Sequence, residues 1–168
     1  MKINVIEGDI TQIKVDAIMT AINSGKMWFG GIDAAIQRVA GNTYHPYELP
    51  LSNLNTIFAS GSRDNHQGQF NHIVFVVDDL ESKLREVIYH GLVAANDNGV
   101  KTIAIPTIRL GVMNGVVEKT NEEALQEITA GIKMFQKSQK NPTLKQITFV
   151  VYNNKTIFNL LSFLSKQN

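Results

Sequence analysis

The chain alternates short apolar runs rich in β-branched residues with segments whose apolar residues recur at helical spacing. The candidate strands are Ile3–Glu7, Val15–Ala21, Thr56–Ser60, His72–Val77, Lys101–Pro106 and Gln146–Tyr152. Residues 73–77 and 147–151 are almost continuously hydrophobic, which is typical of strands buried on both faces. The alternation therefore predicts an α/β domain with a mixed, mostly parallel six-stranded sheet and helices on both faces.

Helical spacing is clearest in the segment that follows the second candidate strand. Ile32, Ile36 and Val39 fall on one face, and Gly41 is expected to end the helix. Three further helices are predicted: one from Leu84 to near Asn98, one opened by a Thr120–Glu123 capping box, and one over Asn154–Leu164. Residues 42–71 are expected to form irregular structure around one strand. No linker or repeat divides residues 1–168, so we expect a single domain.

Composition excludes several classes of protein. The chain has no cysteine, which excludes disulfides and thiolate chemistry. Its net charge of +1 makes a dedicated nucleic-acid binder an unfavoured interpretation. The four histidines show no metal-ligand spacing, so we expect neither a metal nor a cofactor. No targeting signal or apolar run long enough to cross a bilayer is present in the sequence, and we expect a cytoplasmic protein without membrane contact.

Two loops that follow candidate strands contain the residues most suited to binding a ligand. Residues 23–33 carry glycines and lead directly into a helix, and residues 106–115 follow the fifth strand. Glycines let backbone N–H groups approach an anion, and a helix N-terminus adds partial positive charge. Because ligands of open α/β sheets bind beyond the carboxyl ends of the strands, the two loops could hold a diphosphate between them. Ordinary tight turns are the alternative interpretation, since neither loop has a Walker A or dinucleotide-binding motif.

The first third of the chain resembles the opening of a macrodomain. The matching blocks are Gly8–Thr11, Val15–Ile18, Thr20–Asn23, Gly30–Ile36 and Ala40–Gly41, in the order and at the spacing of that family. Residues 102–108 and 111–112 resemble the family's SIAFPAI and GVY segments, and residues 149–153 fall where the family ends. The resemblance implies a three-layer α/β/α sandwich with a pocket for ADP-ribose.

The resemblance also implies roles for three polar residues. Asp9 would accept a hydrogen bond from the adenine amine, or it caps the turn that follows it. Asn23 would orient the distal ribose, or it bonds its own backbone in a turn. Asp33 matches the acid of hydrolytic macrodomains, but an acid in the first turn of a helix is also favoured by the helix dipole. Asn23 and Asp33 are the candidate catalytic residues.

Both loops depart from the family pattern. Thr20 replaces an asparagine. Trp28 and Phe29 stand where glycines are usual, and these two side chains either stack on the distal ribose, cover the pocket or pack on the sheet. Arg109 stands where a small residue is usual, and it either contacts an anion with its guanidinium or is exposed without a role. Met113 replaces an aromatic residue.

The resemblance assigns ligand binding to residues of four segments. They are Asp9, Ile10, Asn23, Phe29, Gly30, Gly31, Ile32, Thr107, Arg109, Leu110, Gly111, Val112, Met113, Tyr152 and Asn153. The expected function is binding of ADP-ribose or a related adenine nucleotide, alone or on an ADP-ribosylated protein, with hydrolysis of an ADP-ribosyl linkage as a further activity. A non-catalytic binding module is the alternative.

Overall fold

The computed structural model describes residues 1–25, 31–45, 50–111 and 115–166. In this part of the chain the strands are β1 Lys2–Glu7, β2 Val15–Ile22, β3 Thr56–Ala59, β4 Phe70–Val77, β5 Thr102–Ile105 and β6 Gln146–Val151. The helices are α1 Ile32–Ala40, α2 Leu84–Asp97, α3 Asn121–Ser138 and α4 Lys155–Ser165, with short 3-10 helices at Ile10–Gln12 and Arg63–Asn65. Every predicted strand and helix is present, with its predicted ends met within two residues.

The strands form one sheet in the order β1-β6-β5-β2-β4-β3. All neighbours pair in parallel except β3, which runs antiparallel to β4 at the edge. The carboxyl ends of β1, β6, β5, β2 and β4 therefore lie at one end of the sheet, where a ligand site is expected.

Each face of the sheet is covered by helices. On one face, α2, α3 and α4 bury residues such as Leu92, Ile128 and Leu161 against Met19, Val76 and their neighbours. On the other face, α1 and Tyr44 pack on Ile18 and Phe75. Alternate residues of β2 pack into the two cores on opposite faces of the sheet, which explains why this strand has no polar face. The architecture is the expected three-layer α/β/α sandwich.

The predicted helix ends depend on local chemistry that the structure contains. Gly41 adopts φ +60° after α1 and donates its backbone N–H to the carbonyl oxygen of Gln37. Thr120 caps α3 by accepting the N–H of Glu123 at 3.1 Å. The Glu123 carboxylate accepts the N–H of Lys119, one residue before the cap. None of the helices in the described ranges is long and apolar enough to cross a membrane.

Candidate ligand cavity

A cavity of about 680 Å³ lies at the carboxyl ends of the parallel strands. It extends from Asp9 after β1 and Tyr152 after β6 to Asp78 after β4. The first turn of α1 and the loop after β5 form its sides, through Gly31, Ile32 and residues 106–110. Its volume lies within the ~300–1,000 Å³ of pockets that enclose ligands of drug or nucleotide size.

Asp9 lies at one end of the cavity and is already engaged within the protein. Its Oδ1 accepts the backbone N–H and the hydroxyl of Thr11, at 2.9 and 2.7 Å. Its Oδ2 lies 3.3 Å from Nη2 of Arg38, which also lines the cavity. The capping role weighed for Asp9 is thus confirmed, and the second oxygen still faces an exposed partner that a ligand can displace. No motif in the sequence singles out Arg38.

The N-terminus of α1 provides backbone donors at the cavity. Gly31 occupies the cap position and has no side chain that could bond to the first-turn N–H groups. Helix geometry leaves the first N–H groups without intrahelical acceptors, so those of residues 32–34 point out of the helix end. Gly31 and Ile32 lie in the cavity wall. Trp28, Phe29 and Gly30, to which the sequence also assigned roles, lie outside the described residues.

Neither of the two candidate catalytic residues is among the described residues that line the cavity. Asp33 is in the first turn of α1, next to Ile32, and its side chain is 44% exposed. Its Oδ1 lies 3.1 Å from Nε2 of His45, a partly buried residue from the loop after the helix. Asn23 directly follows β2. The catalytic roles of Asn23 and Asp33 stay predictions. His45 was overlooked because its only relation to Asp33 is spatial.

The loop after β5 is compact. The N–H of Ile108 bonds to the carbonyl of Pro106 at 2.8 Å, and the N–H of Leu110 bonds to that of Thr107 at 3.2 Å. Thr107 and Leu110 line the cavity, whereas Gly111 follows at φ +77° on the surface. Val112 and Met113 lie outside the described residues. The tight turn that was one interpretation of this loop is present, and its residues 106–110 line the cavity.

The structure contradicts one of the two sequence expectations for Arg109. It is not exposed, because only 4% of its surface is accessible. Its Nε and Nη2 donate to the two oxygens of Asp78 at 3.1 and 2.7 Å, and its Nη1 donates to Glu118 at 2.9 Å. The interpretation of an exposed arginine without a role was wrong. The guanidinium is occupied by two carboxylates, which also limits its availability to an anionic ligand.

The buried arginine and its two carboxylates form a network, here called the triad. Asp78 and Glu118 are 1% and 6% exposed. Burial opposes the charged guanidinium, but hydrogen bonds and charges from Asp78 and Glu118 outweigh it and raise the pKa of Arg109. Glu118 also accepts the N–H of Leu84, the first residue of α2, at 3.1 Å. The triad therefore ties the loop after β5 to the end of β4 and to the start of α2.

Tyr152 and Asn153 follow β6 at the same end of the cavity as Asp9. The Tyr152 ring lines the cavity and is 79% exposed, so one of its faces is open to a planar ligand. Asn153 is exposed and adopts φ +48°. Ile10, in the first turn after Asp9, also lines the cavity and is buried. Among the described residues there is no group of three or more histidine, aspartate or glutamate side chains arranged to hold a metal.

An α/β sandwich with a nucleotide-sized cavity at the strand ends is the class that the fold and the site define. The chain is 30% identical to the O-acetyl-ADP-ribose deacetylase of Salmonella typhimurium over 170 residues, which cover 92% of this chain and 89% of that protein. It is 24% identical to a macro domain-containing protein of Listeria monocytogenes, over 94% and 93% of the two chains. No protein-family model matches the chain. The relatives show that the chain belongs to the macrodomain family.

Solved macrodomains have the same fold. The Trypanosoma brucei macrodomain in complex with ADP-ribose superposes with a TM-score of 0.74 at 20% identity, over 96% of this chain and 68% of that one. The Oceanobacillus iheyensis macrodomain with ADP superposes with a TM-score of 0.67 at 18% identity, over 96% and 90%. These structures establish the architecture of the chain.

Proposed function

We propose that the chain binds ADP-ribose or a derivative of it in the cavity at the strand ends. The observation that carries this proposal is the arrangement of the cavity: a carboxylate at one end and the first turn of α1, with a glycine at its cap, at its side. An ionised carboxylate only accepts hydrogen bonds, which suits the exocyclic amine of adenine because that amine is a donor. A helix N-terminus suits a phosphate. The relatives named for, or solved with, ADP-ribose and ADP support the same ligand.

The arrangement implies an orientation for the ligand. Adenine lies between Asp9 and Tyr152, and the diphosphate lies between the start of α1 and the loop after β5. The distal ribose then reaches towards the carboxyl ends of β2 and β4. Asn23 directly follows β2, and Asp33 lies in the first turn of α1, the next helix along the chain. Phe29, Gly30, Val112 and Met113 keep their proposed binding roles from the family resemblance. The diphosphate is held by main-chain groups, which is consistent with a chain whose net charge is only +1.

Titration calorimetry with free ADP-ribose tests the binding proposal. We expect saturable binding at one site, with weaker binding of adenosine because it lacks the diphosphate. GDP-ribose is the matched ligand control, since guanine presents a carbonyl oxygen where adenine presents its amine. Absence of ADP-ribose binding at millimolar concentration would refute the proposal.

Hydrolysis of an ester on the distal ribose is a second candidate function, favoured by the contact between Asp33 and His45. The Asp33 carboxylate takes a proton from water, and the resulting hydroxide attacks the acyl carbon. The bond from that carbon to the ribose oxygen breaks, the oxygen takes the proton that Asp33 accepted from water, and ADP-ribose and a carboxylic acid are released. His45 fixes the orientation of the Asp33 carboxylate, and Asn23 orients the ribose.

Incubation with O-acetyl-ADP-ribose distinguishes an enzyme from a binding module. Turnover that Asp33→Ala abolishes, with ADP-ribose affinity retained, supports hydrolysis. Binding without turnover by the unaltered protein supports the module, which would recognise ADP-ribose on modified proteins. A cytoplasmic location suits either role.

A further inference from the structure

Two residues of the cavity wall adopt a backbone conformation that side chains rarely take. Leu80 has φ +59° and Arg109 has φ +58°, and neither is glycine. Both line the cavity. Such conformations persist only where the surrounding contacts hold them, and they concentrate at ligand sites.

The carboxylate of Asp78 contacts both of these residues. Its Oδ1 accepts a hydrogen bond from the backbone N–H of Leu80 at 3.0 Å and another from Nη2 of Arg109. Its Oδ2 accepts a hydrogen bond from Nε of Arg109. Asp78 is itself fixed at the end of β4, because its N–H bonds to the carbonyl of Ile22 at 2.7 Å. One buried side chain therefore restrains two left-handed segments that come from different loops.

The second carboxylate of the triad fixes Arg109 from the opposite side. Glu118 accepts Nη1 of Arg109 and the first N–H of α2. Glu118 does not line the cavity in the part of the chain that is described. A buried ion network of this kind need not be more stable than an apolar replacement, so its position in the cavity wall calls for another explanation.

We propose that Asp78 is a positioning residue for the diphosphate of the ligand. The N–H groups of Leu80, Ile108 and Leu110 bond within the protein. Asp78 holds Leu80 and, through the guanidinium of Arg109, the loop of residues 106–110 in the conformation that turns the N–H groups of Thr107 and Arg109 to the phosphates. Arg109 thus serves the ligand through its place in the triad, and main-chain groups carry out the anion binding. This inference rests on the proposed binding of ADP-ribose.

The test compares Asp78→Asn and Asp78→Ala with the unaltered protein. Asparagine keeps an oxygen for the N–H of Leu80 but breaks the paired contact with Arg109, whereas alanine loses both contacts. We expect the Kd for ADP-ribose to rise at least tenfold in Asp78→Asn and further in Asp78→Ala. The Kd for adenosine, followed by chemical-shift titration, should stay within twofold because adenosine lacks phosphates.

Glu127→Gln is the matched control for losing a carboxylate that pairs with arginine. Glu127 accepts Nε and Nη2 of Arg85 at 2.9 and 2.6 Å, between α3 and α2 and away from the cavity wall. This variant should leave both Kd values unchanged. Glu118→Gln weakens the contact between residue 118, which is not among the residues that line the cavity, and Arg109. It should raise the Kd for ADP-ribose by about three- to tenfold and leave the Kd for adenosine unchanged.

The outcomes separate the two proposals. An unaltered protein that does not bind ADP-ribose refutes the proposed function. If that protein binds, an unchanged ADP-ribose Kd in Asp78→Asn overturns the positioning role. Equal weakening of ADP-ribose and adenosine overturns it too, because it would indicate general disruption of the cavity. If Asp78→Asn does not fold, the ratio of the two Kd values in Glu118→Gln decides, and an unchanged ratio overturns the inference.

Discussion

Replacing Asp9 by asparagine should change the base preference of the cavity. The asparagine side chain keeps Oδ1, so it still accepts the N–H and hydroxyl of Thr11, and asparagine and aspartate are equally good helix caps. The second carboxylate oxygen becomes an NH₂ group, which cannot accept the adenine amine. The substitution therefore removes one ligand contact and leaves the local turn in place.

The size of the effect follows from the contacts. A hydrogen bond to a charged group contributes roughly 1.5–3 kcal/mol. Binding also releases Arg38 from Asp9, and this pair is worth at most ~1 kcal/mol because its side chains are 62% and 37% exposed. The net loss of about 0.5–3 kcal/mol corresponds to a Kd for ADP-ribose that is roughly 2- to 150-fold higher.

The assay is a calorimetric cycle with two ligands, ADP-ribose and the analogue in which hypoxanthine replaces adenine. The unaltered protein should prefer adenine, and Asp9→Asn should bind the hypoxanthine ligand better than the unaltered protein does, because its NH₂ donates to the base carbonyl. An ADP-ribose Kd that stays within twofold would show that Asp9 does not contact the base. Equal losses for both ligands would show that the substitution acts on the fold instead.

Three further predictions concern stability. Gly131→Ala should lower the free energy of unfolding by about 1–3 kcal/mol in urea denaturation, because the added Cβ would lie 2.7 Å from the carbonyl oxygen of Arg85; Gln126→Ala on the exposed side of the same helix should be neutral, and a stabilised Gly131→Ala would contradict the packing of α2 on α3. Thr120→Ala should cost about 0.5–2 kcal/mol in the same assay, since Thr120 caps α3, and no loss would show that the cap is not formed. Burial lowers the pKa of His66 and His72 below the ordinary value, so these histidines bind fewer protons in the folded state than in the unfolded chain. Their contribution to the free energy of unfolding should therefore be constant above about pH 6.5 and decrease as the pH falls below it. His66→Gln should make this decrease of the free energy of unfolding with falling pH less steep. A slope that neither His66→Gln nor His72→Gln reduces would contradict the assignment of this pH dependence to the two histidines.

Local patterns were sufficient to predict the fold. The helical spacing of apolar residues in α1 and the capping residues of α3 lie within single segments of the chain. The apolar runs of the strands do so as well. Gly41 illustrates this, because the residue type that ends α1 is the one its backbone conformation requires.

The cavity depends on contacts between segments, which one sequence does not display. Arg109 pairs with Asp78, 31 positions earlier, and nothing in the loop around it indicates a buried partner. His45 meets Asp33 only because the chain turns back after α1. The family resemblance identified Asp9 and Tyr152 at one end of the cavity, but the triad, which includes Asp78 at the other end, depends on tertiary packing.

Amide chemical-shift mapping during titration with ADP-ribose tests the central claim most directly, because it reports binding and its location together. We expect the largest shifts in the N–H groups of Ile10, Ile32, Asp33 and Arg109, with small shifts in α3 and α4 on the opposite face. Saturable shifts confined to another surface, or none at millimolar ligand, would contradict the claim that this cavity binds ADP-ribose.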